Sequence, residues 1–174
     1  MNFLVISDSH GNRRNVDLAF ERIPSLDGIF FMGDGTNDFV DSYRYRGVPL
    51  FCVRGNCDTD EGIPTETTVT LEGYKIMLTH GNLYNIEPTY FDKAAARAAN
   101  IGADILLLGH THFPLDKYLP AGSEIGGVTL GKPLWVFNPG SCGYYGGSAG
   151  LIETCNGKIV NCRIIRQENL EEFL

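Results

Sequence analysis

Ile105-Leu106-Leu107-Leu108-Gly109-His110-Thr111-His112 is an apolar run closed by glycine and followed by two histidines with one residue between them. A run this short reads as a strand buried on both faces. The His-x-His pair then falls in the loop at its C-terminal edge, where open α/β sheets place their ligands. The chain holds four histidines, and all stand just past such runs: Phe3-Leu4-Val5-Ile6 precedes Asp8 and His10, and Ile76-Met77-Leu78 precedes His80. One histidine beside an apolar segment is ordinarily a satisfied or solvent-edge side chain. Four of four at strand ends is a pattern that packing alone does not produce. Ile29-Phe30-Phe31-Met32-Gly33 runs into Asp34 in the same way, and Leu50-Phe51-Cys52-Val53-Arg54-Gly55 into Asn56. Five strand ends therefore deliver Asp8, His10, Asp34, Asn56, His80, His110 and His112 to one rim. A catalytic zinc, for comparison, takes about three protein ligands, so seven N/O donors suit two ions sharing a bridging carboxylate.

Length and composition narrow the classes. With 174 residues, 43% of them hydrophobic and 20% charged, the chain is expected to fold as one soluble globular domain over 1–174. The formal net charge is −7 and there is no Lys/Arg-rich block, which argues against an extended nucleic-acid or anionic membrane surface. Bound divalent cations would offset that acidity locally, so a small phosphate ester can still be drawn to the rim. No apolar stretch reaches a membrane span, and the N-terminus opens on a strand rather than a signal segment; a cytoplasmic location is expected. Five cysteines without a Cys-x-x-Cys pair indicate neither a disulfide framework nor a zinc ribbon, and most are expected to be small buried hydrophobes.

In order, the pattern predicts strands at 2–6, 28–32 and 48–53, a helix over 15–23 stopped by Pro24, and a short helix over 38–45. Gly33 and Gly35 let the chain turn sharply around Asp34. Alternation over 65–71 and 74–78 about Glu72-Gly73 predicts a hairpin. The alanine-rich 89–100 is the clearest helix, capped near Gly102. Shorter strands follow at 116–119, 127–130 and 133–137, then a hairpin over 149–154 and 158–165 about Asn156-Gly157, and a polar tail over 168–174 read as a terminal helical turn. The expected architecture is α/β, two mixed sheets face to face with helices outside, the metal rim at one edge.

Taken together and in this order, Asp8-x-His10, Gly33-Asp34, Gly55-Asn56-x-Asp58, His80-Gly81 and Gly109-His110-x-His112 resemble the calcineurin-like metallophosphoesterase superfamily. The length, with Cys57 in the third motif, is similar to its small prokaryotic YfcE-type phosphodiesterases. The resemblance implies a four-layer α/β/β/α sandwich and a two-metal site in which Asp8, His10 and His112 hold one ion and Asn56, His80 and His110 the other, with Asp34 bridging. It also implies a catalytic part for Asp34, Asn56 and His80, the ions polarising a phosphoryl oxygen while a bridging hydroxide attacks phosphorus. The mixed N/O donors suit manganese first, with nickel, cobalt, iron or zinc as alternatives, rather than a thiolate site. The implied activity is a divalent-metal-dependent phosphodiesterase on a small phosphodiester. A phosphomonoesterase uses the same ions, and a scaffold role is represented in the superfamily by a retromer subunit of similar size; none of the seven donors is missing here.

Other polar residues have two readings each. Cys57 stands where much of the superfamily has the histidine thought to protonate the leaving oxygen. With a reference pKa of about 8.5 a thiol substitutes poorly for imidazolium, so Cys57 is either a weak acid beside Asn56 or a small residue closing the loop. Asn12 and Arg13 read as phosphate contacts, or as turn chemistry and a solvated charge. Asp38 and Asp58 read as acceptors that orient ligand imidazoles, or as helix caps. Asn138-Pro139-Gly140-Ser141 is read as a turn. Tyr144-Tyr145-Gly146-Gly147 is either a substrate lip or, on the favoured reading, a plain surface loop, and Phe113-Pro114-Leu115 is an apolar lip that either pairs subunits into a homo-oligomer or is buried.

Overall fold

The computed structural model of the protein describes residues 1–23, 25–38, 47–144 and 147–166. Twelve strands, two α-helices and one 3-10 helix (Asn82–Tyr84) are described over their full length. β1 (Asn2–Ile6), β2 (Gly28–Phe31), β3 (Leu50–Cys52), β11 (Ser148–Cys155) and β12 (Lys158–Arg166) form one five-stranded sheet in the order β12-β11-β1-β2-β3. β4 (Glu66–Leu71), β5 (Tyr74–Thr79), β6 (Ile105–Leu107), β7 (Leu115–Leu119) and β10 (Leu134–Asn138) form the second, in the order β4-β5-β6-β10-β7. Both are mixed. β1 pairs parallel with β2 and antiparallel with β11, while β6 pairs parallel with both β5 and β10, which in turn pairs antiparallel with β7.

Three apolar clusters show how the layers stack, because successive strand residues face opposite sides. Phe3, Val5, Phe30, Ile76, Leu78, Ile105, Leu107 and Phe137 fill the space between the sheets. Leu4, Ile6, Ile29 and Phe31, one residue out of phase, pack on Val16, Ala19 and Phe20 of α1 (Arg13–Arg22). Met77, Leu106, Leu134 and Val136 do the same against Ala94, Ala95 and Ala98 of α2 (Asp92–Asn100). The four layers α1, sheet, sheet and α2 follow, as expected. Each of the central strands β1, β2 and β6 is buried on both faces, hence the unbroken apolar runs.

Local chemistry sets the boundaries. The Asn12 side chain accepts the Asn15 N–H at 3.2 Å and starts α1 two residues earlier than the expected Asn15. α2 begins at Asp92 rather than 89, because Glu87 and Tyr90 exchange backbone hydrogen bonds of 2.8 and 3.1 Å as an isolated bridge. It ends with Gly102 at φ 68°, Gly102 N–H on Ala99 O and Ala103 N–H on Ala98 O, a Schellman cap. The expected strand over 127–130 is a two-residue β9 (Val128–Thr129) that joins no large sheet and pairs instead with β8 (Glu124–Ile125), a strand the sequence reading lacked. Both hairpin turns have consecutive residues at positive φ, Glu72 and Gly73 at 53° and 87°, Asn156 and Gly157 at 51° and 71°. The stop at Pro24, most of the helix over 38–45 and the tail over 168–174 lie outside the described residues; residues 36–38 are helical.

Three of the five cysteines are buried or half-buried, whereas Cys57 and Cys155 are exposed, and none is bonded to another. No described helix is long and apolar enough to cross a membrane.

Candidate metal centre

β1, β2, β3, β5 and β6 all run toward one edge, and the loops leaving them carry the seven candidate ligands. Asp8, His10 and His112 bring one ligand atom each within 4.8 Å of one another, and so do Asp8, Asp34 and His80. His10 Nε2 lies 3.1 Å from His112 Nε2. Asp8 Oδ1 is 3.3 Å from His112 Nε2 and 3.8 Å from His10 Nε2. Two donors on one ion, each at about 2.0–2.2 Å from it, stand roughly 3.0–3.5 Å apart, so this trio converges as ligands of one ion do. On the other side His80 Nε2 is 3.4 Å from Asp34 Oδ2 and 4.0 Å from Asp8 Oδ1. His110 packs edge-on against His80, ring centroids 5.1 Å apart. Asn56 reaches the cluster through Cys57, its amide nitrogen 3.4 Å from Cys57 Sγ.

The backbone is bent to achieve this. Among the described residues nine non-glycine residues have positive φ, and five of them are Asp8, His10, Asp34, His110 and His112, at 44° to 67°. Such conformations cost on the order of 1–3 kcal/mol each and persist where the surroundings over-determine them. Gly55 is required by close approach, since a Cβ there would stand 2.1 Å from Asp34 Oδ1.

Two buried polar atoms among the described candidate ligands, Asp8 Oδ1 and His80 Nε2, have no hydrogen-bond partner. An orphaned buried carboxylate oxygen is costly unless a cation meets it. His80 Nδ1 must donate to Met32 O, at 2.6 Å, because a carbonyl only accepts; this fixes the tautomer that turns a bare Nε2 toward the carboxylates, as metal-binding histidines require. Burial raises the Asp8 carboxyl above its ordinary value, with His80 and Ser7 offsetting part of the shift. Burial also opposes charge on Asp34 and on His80, but their mutual attraction outweighs it, lowering the first and raising the second, with the Cys57 amide helping Asp34 and Asp8 helping His80. His110 is lowered by burial and by the neighbouring His80. The carboxylates, imidazoles and amide oxygen thus form a donor set that fits divalent cations.

The remaining polar residues hold the loops that carry the candidate ligands. Asp58 and Asp38 both tie loops of the site together. Asp58 accepts backbone N–H groups from Asp34, Gly35, Thr36 and Gly55 at 2.8–2.9 Å, tying the Asp34 loop to the Asn56 loop. Asp38 accepts Ser9 Oγ at 3.0 Å and Gly11 N–H at 2.6 Å, bracing the loop of His10. Asn12 spends its amide on capping α1 and on Gly143 O at 2.9 Å, and Arg13 is exposed at the start of α1. Cys57 gives its backbone N–H to Asp34 Oδ1 at 2.8 Å, and contact with the Asp34 carboxylate together with partial burial pushes its thiol pKa up.

Sequence reasoning missed the buried struts. Asn138 donates to Gly109 O at 2.7 Å and Thr111 Oγ1 at 3.2 Å, holding the loop of His110 and His112. Ser141 Oγ donates to Asp8 O at 2.7 Å, and Ser7 Oγ to Asp8 Oδ2. The segment 138–141, read as a turn, is also a polar run leaving a buried strand, the same signal that located the other loops. Leu115 of the apolar lip packs against the α2 core while Phe113 is exposed.

Asp58→Asn is expected to lower stability by about 2 kcal/mol, allowing for the half of the group that solvent reaches. The Asp58 carboxyl is held below its ordinary value by those four amides, although burial opposes it. Its stabilisation is therefore present above the unfolded value of 3.8 and lost as pH falls through the lower folded value. Urea unfolding of native and variant protein should differ at pH 7 and converge in strong acid; equal stability at pH 7 would remove this role.

The calcineurin-like phosphoesterase superfamily domain matches residues 1–157. A probable metallophosphoesterase, YsnB of Bacillus subtilis (strain 168), is 34% identical over 142 residues, 81% of this chain and 75% of its own. Among solved structures, an archaeal phosphodiesterase superposes with a TM-score of 0.70 at 21% identity, covering 95% of this chain and 99% of its own. Vps29 of Entamoeba histolytica, complexed with Zn2+, gives 0.67 at 24%, again covering 95% and 99%. Family motifs, fold and donor cluster agree: the chain belongs to the calcineurin-like phosphoesterase superfamily, whose members named here are metallophosphoesterases and fold relatives of them.

Proposed function

We propose that residues 1–174 form one catalytic unit, a divalent-metal-dependent phosphodiesterase acting on small diesters. The observation that carries this reading is the pair of orphaned buried atoms, Asp8 Oδ1 and His80 Nε2, at the centre of the donor cluster. On this reading Asp8, His10 and His112 hold one ion, Asn56, His80 and His110 the second, and Asp34 bridges, with manganese the first choice of metal. Bound there, two divalent ions supply Lewis acidity toward a phosphoryl oxygen and an activated water.

The chain's own residues supply the positioning. Asp34 is fixed by the Cys57 amide on one oxygen, leaving its other lone pairs toward the site. His80 is fixed by Met32 O. Asn56 and Cys57 lie on the exposed side of the cluster, where the ester has to enter. Position 57 offers a thiol, pushed further toward its neutral form by contact with Asp34, in place of an imidazole. This favours diesters whose leaving groups depart with little protonation. The backbone N–H of residue 57 serves Asp34 whatever the side chain, so Cys57→Ala is expected to keep activity and metal content of the native order. A large loss of kcat with normal metal content would assign the thiol a catalytic part.

The test is hydrolysis of a chromogenic phosphodiester and its monoester counterpart by metal-stripped protein with single divalent metals restored. Diester turnover exceeding monoester turnover, greatest with manganese, supports the reading; a preference for the monoester replaces it with a phosphomonoesterase. No turnover with two ions bound moves the weight to a scaffold role.

A further inference from the structure

Tyr144 is the one aromatic side chain in ring contact with the His10 and His112 imidazoles among the described residues. Its ring centroid lies 5.1 Å from that of His112 and 6.0 Å from that of His10. It is nevertheless 56% exposed, and no hydrogen bond holds its hydroxyl among the described residues. A ring serving only to wedge the two imidazoles would bury its apolar faces; this one turns most of its surface outward, beside the His10 and His112 imidazoles.

The ring is delivered by a clamped backbone. Gly143 donates its N–H to Asp8 O at 3.0 Å and to Ser141 Oγ at 3.1 Å, and accepts the Asn12 amide at 2.9 Å. A Cβ on Gly143 would stand 2.5 Å from Ser9 O, so only glycine lets the segment lie this close to the Asp8 loop. On the other side Gly147 N–H donates to Tyr144 O at 2.9 Å. A flat side chain with few rotatable bonds, held at its root, loses little entropy when a second ring stacks on it.

Resting on the metal-centre reading above, we propose that Tyr144 is a stacking platform that selects phosphate esters whose esterifying group carries a planar aromatic ring, a nucleoside being the biological form. The phosphate sits at the metal centre and the ring lies on Tyr144, one sugar away. The net charge of −7 and the absence of a basic block restrict this to small esters rather than nucleic-acid chains, which require a row of phosphate contacts.

The experiment is calorimetric titration of manganese-loaded protein with inorganic phosphate, ribose 5-phosphate and adenosine 5′-monophosphate, which needs no turnover. The quantity read is the ratio of the two ester affinities within each protein, so that any disturbance of the imidazoles cancels. In the native protein the nucleotide is expected to bind about tenfold more tightly than ribose 5-phosphate, within the range of a base–aromatic stack. Tyr144→Phe should keep that ratio, and Tyr144→Leu should bring it to about one. A native ratio near one, an unchanged ratio in Tyr144→Leu, or a loss in Tyr144→Phe equal to that in Tyr144→Leu would overturn the platform, the last by assigning the selection to the hydroxyl. Failure of the native protein to bind phosphate at all would overturn the metal-centre reading and the platform with it.

Discussion

Asp34→Asn is expected to abolish metal-dependent ester hydrolysis while leaving the fold intact. Asp34 Oδ1 accepts the Cys57 N–H at 2.8 Å, a bond that an asparagine carbonyl keeps. The other position, Oδ2, stands 3.4 Å from His80 Nε2 and faces the place where both proposed ions share a ligand. An amide puts N–H donors there, and donors repel a cation. Losing one bridging charge from a two-ion clamp removes several kcal/mol of transition-state stabilisation, at least about a thousandfold in kcat/KM. The far-ultraviolet circular dichroism should stay native, while the metal-free melting temperature should fall, because the carboxylate's attraction for His80 is lost. An Asp34→Asn enzyme within tenfold of the native rate would show that this carboxylate bridges nothing.

Asp8→Asn should divide stability from metal binding, with opposite signs. In the metal-free protein Asp8 is buried, Oδ1 has no hydrogen-bond partner, and burial raises the carboxyl above its ordinary value. A raised carboxyl pKa means that ionising Asp8 destabilises the fold, a penalty absent below 3.8 and growing as pH rises through the folded value. Asparagine keeps an acceptor for Ser7 Oγ and the His110 N–H, and its amide can donate to His112 Nε2, 3.3 Å from the orphaned oxygen. The stripped variant is therefore expected to be more stable than the stripped native protein by about 1–2 kcal/mol at pH 7. Manganese at a thousandfold excess over Kd stabilises the native protein by roughly 4 kcal/mol per ion, a rise in Tm of about 10 °C or more for a chain of this size. The variant should lose the share of the ion held by Asp8, His10 and His112. Paired melting curves with chelator and with manganese check both signs; a stripped variant less stable than the stripped native protein would contradict the orphaned-oxygen account.

Much of this was legible in the sequence because the signals were local. The runs 3–6, 29–32 and 105–108 are unbroken because β1, β2 and β6 are covered on both faces, and polar residues at their ends fall in loops by necessity. Glu72-Gly73 and Asn156-Gly157 announce hairpins because both turns need consecutive positive φ values. What the sequence did not disclose is long-range. That His10 and His112 meet at 3.1 Å depends on two different sheets facing each other, across 102 positions of chain. That Asp58 and Asp38 accept backbone amides of neighbouring loops is set by where those amides point, which no local pattern shows. Asn138 and Ser141 look like a turn, yet Asn138 ends β10, and the two side chains hold the loops of His110 and Asp8. Tyr144, read as part of a plain loop, is carried onto the histidine pair by the Gly143 clamp, which no local pattern reveals.

The measurement that bears most directly on the two-ion phosphodiesterase is the rate of diester hydrolysis as metal-stripped protein is titrated with manganese at protein concentrations well above Kd. Seven donors sharing one carboxylate predict little turnover at the first equivalent and a steep rise that ends at the second. A rate that saturates at one equivalent, or the absence of turnover with two equivalents bound, would contradict the account.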